Sequence, residues 1–124
     1  MIGKIQSNVN FYGVTIAQKR GTKRAIAKFE NETCAPGSVE KIRAKLDETV
    51  GDKEFLMTAK NSKAKSVLAP ELFGNVFGAT TFLLYDKNGK NWSKKPVIEI
   101  QAPYSMNVNA DELDALANIV REGI

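Results

Sequence analysis

The regular alternation of apolar and polar side chains in two segments constrains the fold of this chain most. It occurs in KEFLMTAK at residues 53–60 and in VIEIQA at residues 97–102. Because successive side chains of a β-strand point to opposite faces, both segments predict strands of a sheet with one apolar and one polar face. By this alternation, the polar face holds Thr58, Lys60, Glu99 and Gln101. The apolar face then needs a covering layer, and helices are the covering that an α+β domain provides.

Two other segments have the periodicity of an amphipathic helix. Residues 38–50 carry apolar side chains three and four positions apart, between Ser38 as a capping residue and Gly51 as a stop signal. The second helix follows Asn109, a favourable cap with Glu112 three positions later. Each helix has a single apolar stripe, so both are predicted to lie on the surface of the sheet. The stripe of the second helix consists of Leu113, Leu116, Ala117 and Val120.

The N-terminal part of the chain predicts a β-hairpin. Its first strand is NVNFYGVTI at residues 8–16, in which Gly13 marks a bulge or tight bend where the alternation shifts. QKRGTKR at residues 18–24 predicts a turn through Gly21, and RAIAKFE at residues 24–30 predicts the return strand. Four cations would then occupy the tip of this hairpin.

The remaining segments complete an α+β domain. Residues 68–79 are apolar but interrupted by proline and glycine, which predicts an irregular, exposed loop. Asn88 and Gly89 predict a type I′ turn between two further strands. We therefore expect a single domain over residues 1–124. It should contain an antiparallel sheet of roughly five to seven strands with an N-terminal hairpin, and helices on one face that include the C-terminal amphipathic helix.

The composition argues against an enzyme. The chain has no histidine and one cysteine, Cys34, so neither a Cys/His zinc site nor an intramolecular disulfide is expected. No pairing of a nucleophile with a general base is evident in the sequence. Asp111, Glu112 and Asp114 lie at a helix start, where the helix dipole explains them. We expect no catalytic residue, no metal and no cofactor.

The sequence also gives no indication of export or membrane insertion. Residues 1–10, MIGKIQSNVN, lack the apolar core of a signal peptide. The chain contains no apolar run of about 18 residues, the length that a membrane-spanning helix needs. We expect the protein to act in the cytoplasm where it is made, or in an assembly formed there.

The formal net charge of the chain is +4. Its positive charge is concentrated in two parts of the sequence. Residues 1–28 contain no acid, and their cations are Lys4, Lys19, Arg20, Lys23, Arg24 and Lys28. The second cluster, at the end of a predicted strand, consists of Lys60, Lys63 and Lys65. Such clusters favour contact with the phosphates of a polyanion, and binding of that kind depends strongly on salt.

Three segments together resemble the coat proteins of single-stranded RNA bacteriophages, the levivirus-like family. PVIEIQAPYSMNVNADELDALANIVREG at residues 96–123 is similar to the last strand, polar loop and amphipathic helix of that family. NVNFYGVTI at residues 8–16 resembles the opening strand of some members. KEFLMTAKNSKAKSVLAP at residues 53–70 resembles a later strand, a basic turn and the next strand. The helix predicted over residues 38–50 departs from the family pattern.

The resemblance implies a structural protein that forms an intertwined homodimer and then a small icosahedral shell, and that binds single-stranded RNA through a basic sheet face. It would be located in the virion, after assembly in the host bacterial cytoplasm. Strand parity assigns Thr58, Lys60, Glu99 and Gln101 to the RNA-facing side, and Lys63 and Lys65 are expected near it, so the expected RNA-binding set is Thr58, Lys60, Lys63, Lys65, Glu99 and Gln101. Apolar side chains of the loop and of the last helix would form contacts between subunits; they are Leu72, Phe73, Val76, Phe77, Leu113, Leu116 and Val120.

Other functions remain open at this point. A single-stranded nucleic-acid-binding protein of a phage or plasmid would also need a basic sheet, and it would stack bases on Tyr12, Tyr85 or Trp92. It would be a monomer or a dimer and would form no shell. A small inhibitor that masks a host complex is a third possibility, although the basic N-terminal half does not favour a mimic of DNA. An enzyme is the fourth.

Overall fold

The computed structural model describes residues 13–64, 77–88 and 90–124, and these form a mixed five-stranded sheet with three helices. In chain order the elements are β1 (Gly13–Ile16), α1 (Arg20–Glu32), α2 (Ser38–Val50), β2 (Glu54–Ala64), β3 (Phe77–Asn88), β4 (Asn91–Trp92), β5 (Ile98–Pro103) and α3 (Ala110–Gly123). The predicted α+β class and C-terminal helix are confirmed. Among the described helices, none combines the length and apolar character needed to cross a membrane.

Strand β3 lies at the centre of the sheet. It pairs antiparallel with β2 along one side and with β5 and the short β4 along the other. Strand β1 pairs with the outer side of β2, and this pairing is parallel, from Gly13 opposite Glu54 to Ile16 opposite Met57. The prediction of a purely antiparallel sheet is therefore wrong at β1. A parallel pair requires a long crossover connection, and here α1 and α2 provide it.

The predicted N-terminal hairpin is also wrong. Residues 20–32 form α1, so the segment predicted as a basic turn and a return strand is helical. Thr22, Ala25 and Phe29, spaced three and four apart, are the buried side chains of this helix. The apolar side chains of this segment fit both the two-residue repeat of a strand and the 3.6-residue repeat of a helix. Burial of one side against the sheet favours the helix. Of the predicted opening strand, residues 8–12 lie outside the described part, and its end is β1.

All three helices cover the same face of the sheet. Helix α1 contacts β2 and β3, α2 contacts β1, and α3 contacts α2 and β5. Phe29 of α1 meets Phe82 of β3 edge to face, with ring centroids 5.7 Å apart. The largest fully buried side chains are Phe29, Phe82, Ile42, Leu46, Met57, Leu84 and Ile100. The alternation in β2 and β5 therefore directs their apolar side chains into one core beneath the helices.

Helix α3 begins as its sequence predicts. The Asn109 side chain accepts a hydrogen bond from the Glu112 backbone N–H at 2.9 Å, and Glu112 accepts bonds from the N–H groups of Asn107 and Val108. Its apolar stripe is covered within the same chain. Leu113 packs at the margin of the core, and the buried members of the stripe are Leu116, Ala117 and Val120.

Two side chains of α2 complete the hydrogen bonding of the edge strand β1. Asp47 Oδ1 accepts a bond from the Val14 backbone N–H at 2.9 Å, and Arg43 Nη1 donates to the Val14 carbonyl at 3.1 Å. Val14 is fully buried. Gly13, at φ +83°, passes so close to Asp47 that a Cβ atom at this position would overlap the carboxylate. This approach explains why glycine stands where the alternation shifts.

Candidate nucleic-acid interface

The sheet face opposite the helices, which we call the open face, carries the predicted polar side chains. Thr58 pairs with Leu83, which pairs with Glu99 on β5, so these three side chains form one row across the sheet. The next row runs from Lys60 through Thr81 to Gln101. Lys60, Glu99 and Gln101 are exposed, and Thr58 is half-buried. The register thus brings Thr58, Lys60, Glu99 and Gln101 together on one face.

The other predicted site residues are placed differently. Lys63 occupies a β2 position of the opposite parity to Lys60, and its side chain lies outside the described part. Lys65 lies outside the described residues altogether. The same is true of the predicted interface residues Leu72, Phe73 and Val76, while Phe77 is described only as the first residue of β3. Leu113, Leu116 and Val120 lie against their own chain's core.

Strand β3 adds side chains to the open face that the sequence reasoning did not assign to it. Tyr85 pairs with Leu56, and both are half-buried on this face. Thr81 is buried and donates a 2.7 Å hydrogen bond to the Ser62 hydroxyl, which leaves less of its hydroxyl for a ligand. The alternation of residues in the β3 segment TTFLLYDK could have assigned Tyr85 to this face. The continuous apolar run FLLY obscures that alternation.

One end of the open face combines an aromatic ring with an ion pair. Lys87 of β3 pairs in register with Trp92 of β4, and its Nζ lies 5.0 Å from the centroid of the indole. The same ammonium lies 3.4 Å from the carboxylate of Glu54 on β2. A cation held over the indole in this way restricts access to that side of the ring. Trp92 therefore offers less stacking surface than its side chain alone suggests.

The charges on the open face are balanced in the part of the chain that the structure describes. Lys60 and Lys87 are matched by Glu54 and Glu99. The prediction of a basic sheet face is therefore wrong for the described residues, and the face provides little net attraction for a string of phosphates. Among the described residues it provides Lys60, which has no ion-pair partner there, the amide of Gln101 and the ring of Tyr85. Such groups contact bases, sugars and single phosphates.

The groups with perturbed pKa values lie elsewhere. Hydrogen bonds from the Arg43 guanidinium hold the pKa of Glu40 below its ordinary value, and the same contact raises the pKa of Arg43. Lys45 similarly lowers the pKa of Asp114 through a 2.8 Å ion pair between α2 and α3. These groups form surface ion pairs on helices. Among the described residues, no three His, Cys, Asp or Glu side chains cluster as metal ligands.

Comparison of the chain with family models, with curated proteins and with solved structures finds no significant match.

Proposed function

We propose that this protein is a structural RNA-binding protein of the coat-protein type, which assembles with copies of itself and binds single-stranded RNA across the open face. The observation that carries the proposal is the one-sided covering of the sheet. The described helices pack on one face only. On the other face, the polar side chains of Thr58, Lys60, Glu99 and Gln101 flank Leu83 and Thr81 of the central strand. A broad strand surface that helices leave uncovered, with polar and aromatic side chains, is a common platform for unpaired bases.

Within this proposal, the two ends of the face have different roles. Lys60 is exposed and contacts a phosphate, while the Gln101 amide, on the far side of Thr81 in the same row, bonds to a base edge or a ribose hydroxyl. Tyr85 lies four residues along β3 from Thr81, or about 13 Å from the row of Lys60. A base stacks on its ring, because stacking on an aromatic side chain tolerates any base. An extended RNA segment would run along β2 and β3 between these points.

The homodimer, the icosahedral shell and the location in a virion are proposed from the sequence resemblance. Because the α3 stripe is covered within the chain, self-association would use other surfaces. Val97, Ile119 and Ile124 are the exposed large apolar side chains of the described part, at 43–48% relative exposure. Ile119 lies in α3 and Ile124 is the C-cap of this helix, so a contact between copies there would involve the outer side of its C-terminal end.

Binding of a short single-stranded RNA, followed by fluorescence anisotropy, tests the open face. Tyr85→Leu removes the ring and keeps an apolar side chain, so RNA affinity should fall by about tenfold, within the range for loss of one stacked base. Lys60→Gln should weaken binding less and reduce its salt dependence. Lys94→Gln removes an equal charge from an exposed position outside the open face and serves as the control. RNA affinities of Tyr85→Leu and Lys60→Gln equal to that of Lys94→Gln would contradict the proposal.

A second candidate is a single-stranded nucleic-acid-binding protein that acts as a monomer or dimer. It is favoured by the position of Tyr85 on the open face, because Tyr85 was a candidate for base stacking. Trp92, a second candidate, pairs with Lys87, whose ammonium lies 5.0 Å from the centroid of the indole. Tyr12, the third candidate, lies outside the described residues. The two functions share the binding surface and differ in assembly, so particle formation separates them.

A further inference from the structure

Helix α1 and the residue before it carry a cluster of cations, which lies away from the open face. We call Lys19, Arg20, Lys23 and Arg24 the α1 basic face. All four side chains are exposed, whereas Thr22, Ala25 and Phe29 form the buried side of the helix. Among the described residues, none of the four lies within ion-pair distance of an acid; the ion pair of this helix joins Lys28 to Glu32 at its other end.

The arrangement is unfavourable for the helix itself. Lys19 and Lys23, and likewise Arg20 and Arg24, are like charges four residues apart, where such pairs repel. They also lie at the N-terminal end of α1, where the helix dipole repels cations. The first turn contains no acid, and no side chain caps the helix. Helix α3 of the same chain shows the opposite arrangement, with Asp111 and Glu112 in its first turn and an Asn109 cap.

We propose that the α1 basic face is a second nucleic-acid-binding surface, which contacts the phosphates of a single strand without regard to its bases. A bound polyanion reduces the repulsion among the four cations. Binding therefore offsets the free energy by which this repulsion destabilises the unbound helix. The two guanidinium groups can each hold a phosphate through paired hydrogen bonds. They border a shallow surface groove of about 410 Å³ lined by Gln18, Arg20, Lys23, Arg24 and Ala27.

This surface is separate from the open face. Helix α1 packs on the face of β2 and β3 that carries the core, so the sheet lies between the two surfaces. The open face has balanced charge, and the α1 basic face has four uncompensated cations in the described part. The inference therefore goes beyond the proposed function and holds whether or not the open face binds RNA. If both bind, one protein can hold two segments of a long strand.

The test uses a variant that neutralises the α1 basic face, Arg20→Gln/Lys23→Gln/Arg24→Gln. Its matched control, Lys53→Gln/Lys94→Gln/Lys95→Gln, removes three exposed cations elsewhere. The affinity for a 30-nucleotide oligouridylate is measured as a function of salt. Loss of three phosphate contacts should make the log–log slope shallower by about 2 and should weaken binding about 100-fold at 0.1 M salt. The control should change much less.

Stability provides a second readout. Because the cations repel one another, the α1 variant should melt at or above the temperature of the wild-type protein while it loses RNA affinity. Arg20→Lys/Arg24→Lys keeps the charge and should keep the salt slope. The proposal is overturned if the neutralised variant binds with the wild-type slope, or if the control loses as much affinity. It is also overturned if the Arg→Lys variant, folded as judged by circular dichroism, loses the slope.

Discussion

Replacement of Asp47 by alanine should release the edge strand β1 from the helical layer. The Asp47 carboxylate accepts a 2.9 Å bond from the N–H of Val14, a residue with no exposed surface. A buried donor that loses its acceptor costs about 1–3 kcal/mol. The ion pair of Asp47 with Arg43, at 3.6 Å and partly exposed, adds less than about 1 kcal/mol. Alanine's better helix propensity returns about 0.5 kcal/mol, so the net loss is about 2 kcal/mol.

Urea denaturation measures this loss, and thermal melting should show a decrease of about 8 °C for a domain of this size. Asp47→Asn keeps an oxygen acceptor and should cost about 1 kcal/mol. Glu48→Ala, at an exposed position of the same helix, is the matched control and should change stability by less than about 0.5 kcal/mol. If the free energies of unfolding of Asp47→Ala and Glu48→Ala differ by less than about 0.5 kcal/mol, the hydrogen bond to Val14 does not stabilise β1.

Three further predictions concern single side chains. The Thr80 hydroxyl is buried and has no hydrogen-bond partner among the described residues, so Thr80→Val should raise the free energy of unfolding by about 1 kcal/mol, measured in urea. Arg43→Gln should raise the pKa of Glu40 towards its ordinary value, measured by NMR titration. Because that pKa is lowered in the folded protein, its stabilising effect is present at neutral pH and is lost as the pH falls through it; the variant should lack this loss. A Cβ atom at Gly78 would lie 2.5 Å from the Tyr104 ring, so Gly78→Ala should destabilise by about 1–3 kcal/mol in thermal melting.

The helices with local signals were predictable from the sequence. Residues 38–50 were predicted as a helix and form α2 with the same bounds, ended by Gly51 at φ +66°. Helix α3 starts behind the Asn109 cap as expected. In both segments, the spacing of the apolar side chains agrees with the observed helix. The predicted Ser38 cap is wrong, because Gly37 occupies the N-cap position and the Glu30 carboxylate accepts the Val39 N–H at 3.1 Å.

Helix α1 was missed because its local signals conflict. RAIAKFE fits a strand by alternation and a helix by the spacing of Ala25 and Phe29, and Gly21 suggested a turn. The parallel pairing of β1 with β2 decides between them, since it needs a crossover that a hairpin does not provide. This pairing joins residues about 40 positions apart, and no local pattern specifies it.

The open face was predictable in part. Alternation placed Thr58, Lys60, Glu99 and Gln101 on one side of the sheet, which follows from strand parity alone. The balance of charge on that face did not follow, because the pairing of Lys87 with Glu54 depends on the register of β2 against β3. Nor could the sequence show whether the apolar stripe of α3 is covered by its own chain or by a second copy.

A coat protein assembles with RNA, and size-exclusion chromatography of the untagged protein expressed in bacteria tests whether this chain does so. Absorbance at 260 and 280 nm is read across the eluted peak, and the same fractions are imaged by electron microscopy. The account predicts regular particles of megadalton size that carry RNA. A small peak free of RNA, which shifts only when single-stranded nucleic acid is added at low salt, would contradict the coat-protein proposal and favour the binding protein.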